Sequence, residues 1–329
     1  MTYLATALQQ FFTDYVHTQR NLSDNTIASY RDTWRLLIKY ACTSNGVSAD
    51  QIRLEDIDRD MVTAFLDYLV NDRDNTAATR NARLVAIRVL LAQFLPDHPE
   101  HAETIRRILT IPPARTTKPL ISYLTEAETD ALLAAPETTT WTGRRDQMMF
   151  TLVINTGLRI SELISLATTS IHTGTSPYIE CEGKGRKHRA TPISTKTRDQ
   201  MCDYLKERNA RPGIALFPGP RGDALSRDAI EHRLATHIQT AAQTCPSIDG
   251  KHVTTHTLRH TTAMNLLHSG VDITVIALWL GHEQTSTTDV YLHADMTTKK
   301  AALEKTRPPE VTPGTYTPNP GILNWLESL

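Results

Sequence analysis

The sequence contains few cysteines, and no two of them stand at redox or metal-binding spacing. Its four cysteines, Cys42, Cys181, Cys202 and Cys245, lie far apart in a chain of 329 residues. This distribution argues against a disulfide scaffold and against a cysteine zinc site. It is typical of a protein kept in a reducing compartment, so we expect a cytoplasmic location.

Long apolar runs are also missing. No stretch approaches the roughly 20 apolar residues that a helix needs to span a bilayer. The N-terminal segment "MTYLATALQQFFTDYV" has neither the basic start nor the continuous apolar run of a signal peptide. The sequence therefore predicts no membrane partner.

The common motifs of nucleotide and metal chemistry do not occur either. There is no GxxxxGK[ST] phosphate loop, no GxGxxG after a strand, no HExxH and no GxSxG. No cluster of acids suggests a two-metal phosphoryl site. His256 and His260 are four residues apart, which is a metal-ligand spacing, but no third ligand accompanies them. The sequence thus predicts no metal and no cofactor.

The overall charge gives no clear direction. The net charge is −1, whereas a nucleic-acid-binding domain is usually basic. Basic residues nevertheless cluster in three places: Arg80 to Arg88, "GKGRKHR" at 183–189, and Arg144 with Arg145. Composition alone leaves nucleic-acid binding open.

The length and the apolar periodicity predict two mainly helical domains. Residues 1–110 are expected to form helices, with Ser23 as an N-cap and further helices beginning near Asp58 and Thr76. The segment 111–120, which includes "IPPARTTKP", is the predicted linker. The fold class expected for the whole chain is mainly α with a small β-hairpin or sheet.

The second predicted domain spans 121–307. Thr125 and Glu128 stand at capping-box spacing, so a helix should begin there. Residues 178–194, "YIECEGKGRKHRATPIS", read as two short strands around a basic turn. The segment 308–329 is a proline-rich spacer followed by a short amphipathic piece, "GILNWLESL". A helix this short is not stable alone in water, so its apolar face should dock on a protein surface.

Four segments carry the residues expected to act chemically. They are "NTGLRISEL" with Arg159 and Glu162, the basic turn with Lys184, "THTLRHTTAMNLL" with His256 and Arg259, and "LGHEQTSTTDVYLHAD" with His282 and Tyr291. Arginine suits a phosphodiester because its planar fork bonds two oxygens at once. A tyrosine hydroxyl can attack phosphorus, and a lysine with a lowered pKa can protonate the leaving oxygen.

Simpler explanations exist for single motifs. A tyrosine near a helix start is commonly a packing residue with a wet hydroxyl. The run "HTTAMNLLHSGVDITVIALWLGH" also fits the helix, turn and helix of a DNA-binding regulator. Arg159 follows an apolar run and should be partly buried, where it needs an anion.

Taken in order, the four motifs resemble those of the tyrosine recombinases, the phage integrase and Xer-type group. The resemblance covers roughly 124–295 closely and the N-terminal helices more loosely. It implies an N-terminal SAM-like core-binding domain and a C-terminal catalytic domain. It also implies the roles of single residues: Tyr291 as nucleophile, Arg159 and Arg259 as phosphate clamps, Lys184 as general acid, His256 as acid/base helper, His282 as a further phosphate ligand, and Glu162 as the acid that orients its neighbours.

The implied reaction is site-specific DNA strand exchange through a 3′-phosphotyrosine intermediate and a Holliday junction. The implied partners are a double-stranded recombination site, a homotetramer on DNA that is a monomer or weak dimer when free, and accessory DNA-bending or directionality proteins. Expected DNA contacts are Ser29, Arg31, Arg80, Arg83, Arg186 and Lys187. The C-terminal piece is expected to dock on a neighbouring subunit, and docking on its own catalytic domain is the alternative that stays open. Integration, excision, transposition by a mobile element and chromosome-dimer resolution all stay open, as do a type IB topoisomerase and a non-enzymatic regulator.

Overall fold

The computed structural model describes residues 4–13, 22–116, 121–183, 188–209, 213–281, 288 and 291. The chain divides into two compact units, Met1–Pro119 and Leu120–Leu329. The predicted C-terminal segment 308–329 lies outside the described residues. Among the described helices, none combines the length and the apolar character needed to cross a membrane.

The N-terminal unit is helical. Its helices are α1 (Leu4–Gln10), α2 (Asp24–Asn45), α3 (Arg59–Asn71), α4 (Ala77–Phe94) and α5 (Ala102–Leu109). Side-chain oxygens of Ser23, Asp58 and Thr76 accept backbone N–H groups at the starts of α2, α3 and α4. The predicted N-cap Ser23 and the predicted helix starts near Asp58 and Thr76 are therefore confirmed, and the structure adds that Asp58 and Thr76 are themselves N-caps.

The core of this unit lies where the helices bring their apolar faces together. Trp34 and Leu37 of α2 are buried with Phe65 of α3 and with Leu84 and Leu91 of α4, among others. Residues 111–116 have no regular structure, but Ile111 is buried in the same core. The start of the predicted linker is thus held by the N-terminal unit.

In the described part of the second unit, helices accompany a small sheet. They are α6 (Glu126–Ala134), α7 (Trp141–Thr156), α8 (Ile160–Ser165), α9 (Thr195–Asn209), α10 (Arg227–Ala242), α11 (Thr255–His268) and α12 (Ile273–Leu280). The predicted capping box is confirmed, since Glu128 N donates to Thr125 Oγ1 and Thr125 N donates to Glu128 Oε2. The mainly helical fold class is confirmed as well.

The sheet contains three antiparallel strands in the order β1 (Ile171–His172), β2 (Tyr178–Glu182) and β3 (His188–Pro192). Glu182 pairs with His188 and Tyr178 with Pro192, so β2 and β3 form the predicted hairpin. Strand β1 was not predicted, because two residues are too few to show an alternating pattern. The hairpin turn, 184–187, lies outside the described residues.

A buried ion network ties α7 to α10. The Asp146 carboxylate, whose side chain is 1% exposed, accepts from Arg145 Nη2 at 2.8 Å, Arg233 Nη1 at 2.7 Å and His237 Nε2 at 3.1 Å. Burial alone would raise the pKa of Asp146, but the His237 hydrogen bond and the arginine charges outweigh it and lower the pKa. This network fixes the N-terminal half of α7, the helix that ends at the candidate site.

Candidate active site

Arg159 lies between two helices. Gly157 ends α7 with a left-handed φ of 65°, and Arg159 is the N-cap of α8. The segment "NTGLRISEL" suggests a helical position for Arg159, but the residue lies just before the helix, because Gly157 reverses the chain. The left-handed backbone favours glycine at position 157, and a Cβ there would lie 2.5 Å from Leu280 Cδ2, so the leucine side chain would have to move. The Arg159 side chain is 28% exposed, partly buried as expected.

Glu162 supplies the anion that Arg159 needs in the free protein. Its side chain is 1% exposed and accepts from Arg159 N at 2.7 Å and Arg159 Nη1 at 2.8 Å. A third donor is Arg189 Nη2 of β3, at 2.8 Å from Glu162 Oε2. One carboxylate therefore orders two guanidinium groups from different elements.

Arg259 is almost completely buried, at 1% exposure. Its Nη1 donates to Gly157 O at 2.5 Å and its Nη2 to Leu280 O at 2.6 Å. Burial, together with the charges of Arg159 and Arg189, lowers the pKa of Arg259 to about 10, so the group is still cationic at neutral pH. The rigid placement comes from α11, where Thr262 Oγ1 donates to Ile154 O of α7 at 2.7 Å.

Three arginines converge on the C-terminal end of α12. Arg189 donates to Trp279 O, Arg259 to Leu280 O and Arg159 to Gly281 O. The last carbonyls of a helix have no intrahelical partner and carry the negative end of the helix dipole. They therefore hold cations together without neutralising them. Three guanidinium groups and one carboxylate leave this cluster with a net charge of about +2.

Tyr291 is buried beside this cluster. The residue is 2% exposed and packs in an apolar cluster with Ala263, Met264, Ile276 and Leu280, among others. Its hydroxyl is not solvated but lies 2.9 Å from His260 Nδ1. Burial raises the pKa of Tyr291, and the charges of Arg259 and Arg159 oppose that rise. The hydroxyl is thus a neutral phenol, and the positive charges of both arginines favour its ionised form.

His260 and His256 lie one turn apart on α11, and their rings contact edge to face at a centroid distance of 4.7 Å. Burial, then the charges of His256 and Arg259, lowers the pKa of His260 to about 4. Partial desolvation and the charges of Arg259 and Arg159 also lower the pKa of His256, although part of its ring reaches solvent. Both imidazoles are therefore neutral at pH 7.

A cleft opens beside these residues. Its volume is about 370 Å³, and its lining includes Arg159, Thr255 and His256 together with Arg227 of α10. Phosphate could approach the Arg159 guanidinium from this side. The site residues Lys184 and His282, and the predicted DNA contacts Arg186 and Lys187, lie outside the described residues.

The predicted DNA contacts of the N-terminal unit differ in their surroundings. Ser29 and Arg31 of α2 are exposed, and the Arg31 side chain is 67% accessible. Arg80 is half-buried and donates to Asn81 Oδ1 at 3.4 Å. Arg83 donates to Thr33 Oγ1 at 2.9 Å and to Ser29 O at 3.3 Å, which joins α4 to α2. Arg83 thus has a structural contact that Arg31 lacks.

Residues 122–298 match the phage integrase family, and residues 8–96 match its N-terminal SAM-like domain. The chain belongs to the phage integrase family. The two matched segments fall in the two structural units, and the predicted combination of a SAM-like domain with a catalytic domain is confirmed.

Relatives of the chain carry names from the same family. It is 42% identical over 326 residues to the "Putative integrase/recombinase y4rC" of Sinorhizobium fredii, covering 99% of this chain and 98% of that protein. It is 32% identical to the tyrosine recombinase XerD of Vibrio vulnificus, covering 86% and 89%. A crystal structure of the XerH site-specific recombinase bound to a palindromic difH substrate has a TM-score of 0.70 at 21% identity, covering 87% and 81%.

Family membership places the chain among the tyrosine recombinases, enzymes that break and rejoin DNA. The resemblance read from the four motifs is therefore confirmed, and so is the enzyme class. The chain recombines DNA at specific sites by tyrosine cleavage and rejoining.

Sequence reasoning missed one residue of the cluster and underused another. Arg189 was passed over as part of a basic turn, although it lies on the same face of β3 as the buried Thr191. Because residues two apart in a strand face the same side, a strand over these residues with Thr191 in the core predicts an inward-facing Arg189. His260 was considered only as a metal ligand, because the approach of Tyr291 from a distant segment cannot be read from spacing.

Proposed function

We propose that Tyr291 is the nucleophile and that Arg159 and Arg259 hold the scissile phosphate. The observation that carries this proposal is the position of the Tyr291 hydroxyl, which lies against α11 and within the field of both arginines. Attack forms a bond between Tyr291 Oη and phosphorus while the bond to the 5′ oxygen breaks. The product is a 3′-phosphotyrosine link and a free 5′ hydroxyl.

The arginine cluster suits the transition state better than the ground state. A phosphodiester carries one negative charge, and the pentacovalent transition state carries about two on its oxygens. The cluster has an excess of about two positive charges and is held by carbonyls that cannot neutralise it. Donors that are already fixed in place need no reorganisation when charge develops, which is the main source of such catalysis.

The remaining roles follow the resemblance. Lys184 donates a proton to the leaving 5′ oxygen, His282 bonds a phosphate oxygen, and His256 assists proton transfer. Glu162 orients Arg159, in keeping with its two hydrogen bonds to that residue. Because the phosphotyrosine link conserves the energy of the broken bond, rejoining requires no nucleotide hydrolysis.

The assembly follows from the reaction. Exchange of two duplexes breaks four strands, so four copies of the nucleophile are needed, and we propose a homotetramer that forms on the recombination site. Cleavage of two strands at a time yields a Holliday junction. The exposed Ser29 and Arg31 of α2 and the half-buried Arg80 of α4 contact this DNA, together with Arg186 and Lys187. The reaction takes place in the cytoplasm, and a mobile element is a source of such sites.

A nicked suicide substrate tests the nucleophile. Cleavage next to the nick releases a short fragment that carries the 5′ hydroxyl. Without that hydroxyl the DNA cannot be rejoined, so the covalent adduct accumulates and migrates slowly on a denaturing gel. We expect the adduct with the natural chain and none with Tyr291→Phe, while both bind DNA equally. Tyr204→Phe is the matched control. Tyr204 is another buried tyrosine; its hydroxyl donates to Leu216 O at a distance of 2.7 Å, and it is not part of the arginine cluster. An adduct with Tyr291→Phe would refute the proposal.

A further inference from the structure

The hydroxyl oxygen of Tyr291, which is the proposed attacking atom, is hydrogen-bonded to the Nδ1 atom of His260. The Oη to Nδ1 distance is 2.9 Å, and the two rings meet at 66° with centroids 5.5 Å apart. A general base must lie within about 2.6–3.2 Å of the atom whose proton it takes. His260 satisfies that condition, whereas His256 reaches the tyrosine only through the His260 ring.

From this geometry we infer that His260 is the base that takes the proton of the Tyr291 hydroxyl during cleavage. This inference rests on the proposed role of Tyr291. The tyrosine donates to Nδ1, and the second ring nitrogen, Nε2, carries the imidazole proton. As Oη bonds to phosphorus, the hydroxyl proton passes to Nδ1. The leaving 5′ oxygen takes its proton from the general acid, and both transfers reverse when the DNA is rejoined.

The surroundings keep His260 ready to accept this proton. Among the described residues, the charged and titratable groups that face it are His256 and Arg259 on its own helix and the Tyr291 hydroxyl. Partial burial and the charge of Arg259 hold the imidazole neutral, so the lone pair of Nδ1 can take up the hydroxyl proton. Burial keeps the proton on Tyr291 until the substrate arrives.

Bound phosphate should switch the pair on. The charge of Arg259 disfavours an imidazolium at position 260, and a phosphate between the guanidinium groups offsets that charge. The proton affinity of His260 then rises only when DNA occupies the site. The tyrosine is therefore activated only when the scissile phosphate is bound.

Helix α11 holds the base in place. Its start is capped by Thr254, whose Oγ1 accepts from Thr257 N at 3.2 Å. Thr262 Oγ1, two residues beyond His260, bonds Ile154 O of α7 at 2.7 Å. The base and the phosphate-binding Arg259 are therefore adjacent residues on one anchored helix, so the distance between them is fixed.

The test is the pH dependence of single-turnover cleavage on a nicked substrate. In His260→Asn the amide oxygen replaces Nδ1 as an acceptor but cannot take a proton. We expect about a 10²-fold slower rate at pH 7, in the range of a lost general base, and a rate that rises about tenfold per pH unit. The natural chain should be nearly independent of pH between 6 and 8. His268→Asn, an exposed histidine on the same helix, should behave like the natural chain.

A second substrate separates the two proton transfers. Sulfur in place of the bridging 5′ oxygen gives a thiolate leaving group that needs no proton. We expect His260→Asn to stay slow on this substrate, whereas Lys184→Ala should be restored. Thermal melting and DNA binding check the fold, and His260→Gln provides a second variant if asparagine destabilises the chain.

Three outcomes would overturn the inference: a natural rate with a flat pH profile in folded His260→Asn, cleavage faster than the natural chain, or full rescue of His260→Asn by the sulfur substrate. A natural rate with a flat pH profile means that His260 only positions the hydroxyl. Faster cleavage means that His260 holds the tyrosine back. Full rescue by the sulfur substrate means that His260 assists protonation of the leaving group. Failure of the proposed function is distinct, since Tyr291→Phe would then still form the adduct in the same assay.

Discussion

Glu162→Gln, compared with a control variant of similar stability, tests whether the arginine cluster is needed for cleavage and not only for folding. The glutamate accepts Arg159 N, Arg159 Nη1 and Arg189 Nη2 at 2.7–2.8 Å. Glutamine keeps one acceptor oxygen and turns its NH₂ group toward a donor, so two of the three contacts are weakened or lost. Breaking a buried ion pair costs about 3–5 kcal/mol. We expect a loss of about 3 kcal/mol, the low end, because Arg159 is partly exposed.

Glu128→Gln is the matched control. Glu128 is also the third residue of a capped helix, is 1% exposed, and accepts three donors: Thr125 N at 2.8 Å, Ser247 Oγ at 2.8 Å and Lys251 Nζ at 2.7 Å. Both variants should therefore lose similar stability, lowering Tm by about 6–12 °C at roughly 2–4 °C per kcal/mol. Only Glu162→Gln releases the arginines.

The assay is single-turnover cleavage at a temperature where both variants are folded. Freeing Arg159 should slow cleavage by about 10²-fold, as expected for a catalytic group misplaced by about 1 Å, while Glu128→Gln cleaves normally. DNA affinity at fixed salt should not fall in Glu162→Gln, because the cluster gains positive charge. Bound DNA should also raise the Tm of Glu162→Gln more than that of Glu128→Gln, since phosphate replaces the lost anion. Equal cleavage rates in the two variants would refute this account of the cluster.

Three further changes test other parts of the structure. Arg259→Lys cannot bond both Gly157 O and Leu280 O and still present a fork to phosphate, so cleavage should fall by about 10² or more with little change in DNA affinity; near-normal cleavage would contradict the assignment. Asp146→Asn should cost about 3–5 kcal/mol in urea unfolding at pH 7, whereas the exposed Asp203→Asn should cost less than about 0.5 kcal/mol. Because the pKa of Asp146 is lowered on folding, its stabilisation is complete above the ordinary value of 3.8 and is lost as the pH falls through the folded pKa, so a natural chain with no steeper acid unfolding than Asp146→Asn would refute this contribution. Arg31→Ala should reduce the slope of log affinity against log salt by about 0.9 with unchanged Tm, and Arg83→Ala should instead lower Tm; the reverse pattern would contradict the different surroundings of these arginines.

Local signals in the sequence predicted much of the fold. The cap Ser23 and the Thr125–Glu128 pair lie within a few residues of the groups they bond, so spacing reveals them, and the helix starts near Asp58 and Thr76 were predicted from the apolar period. The helix predicted to begin near Thr76 is α4, and Leu84 and Leu91, which follow its apolar period, are buried. Strand β1 escaped prediction because its two residues are held by pairing with β2, a contact made in the folded chain.

The sequence predicted part of the membership of the candidate site, without Arg189 and without the role of His260, and none of its geometry. The four motifs identified Arg159, Glu162, Arg259 and Tyr291 because they keep a characteristic order. They could not show that three arginines share the end of α12, since those contacts join residues 21 to 122 positions apart. For the same reason the burial of the Tyr291 hydroxyl against His260 was not foreseen. These contacts are set by packing between segments that are distant in the sequence, and the spacing of residues within a motif does not predict such packing.

Mass spectrometry of the trapped covalent complex tests the central claim most directly. After cleavage of a nicked substrate, nuclease and protease digestion leaves one peptide that carries a nucleotide through its 3′ phosphate. The account predicts that this nucleotide is attached to Tyr291 and that no adduct forms with Tyr291→Phe. Attachment to any other residue, Tyr178 or Tyr204 for example, would contradict it.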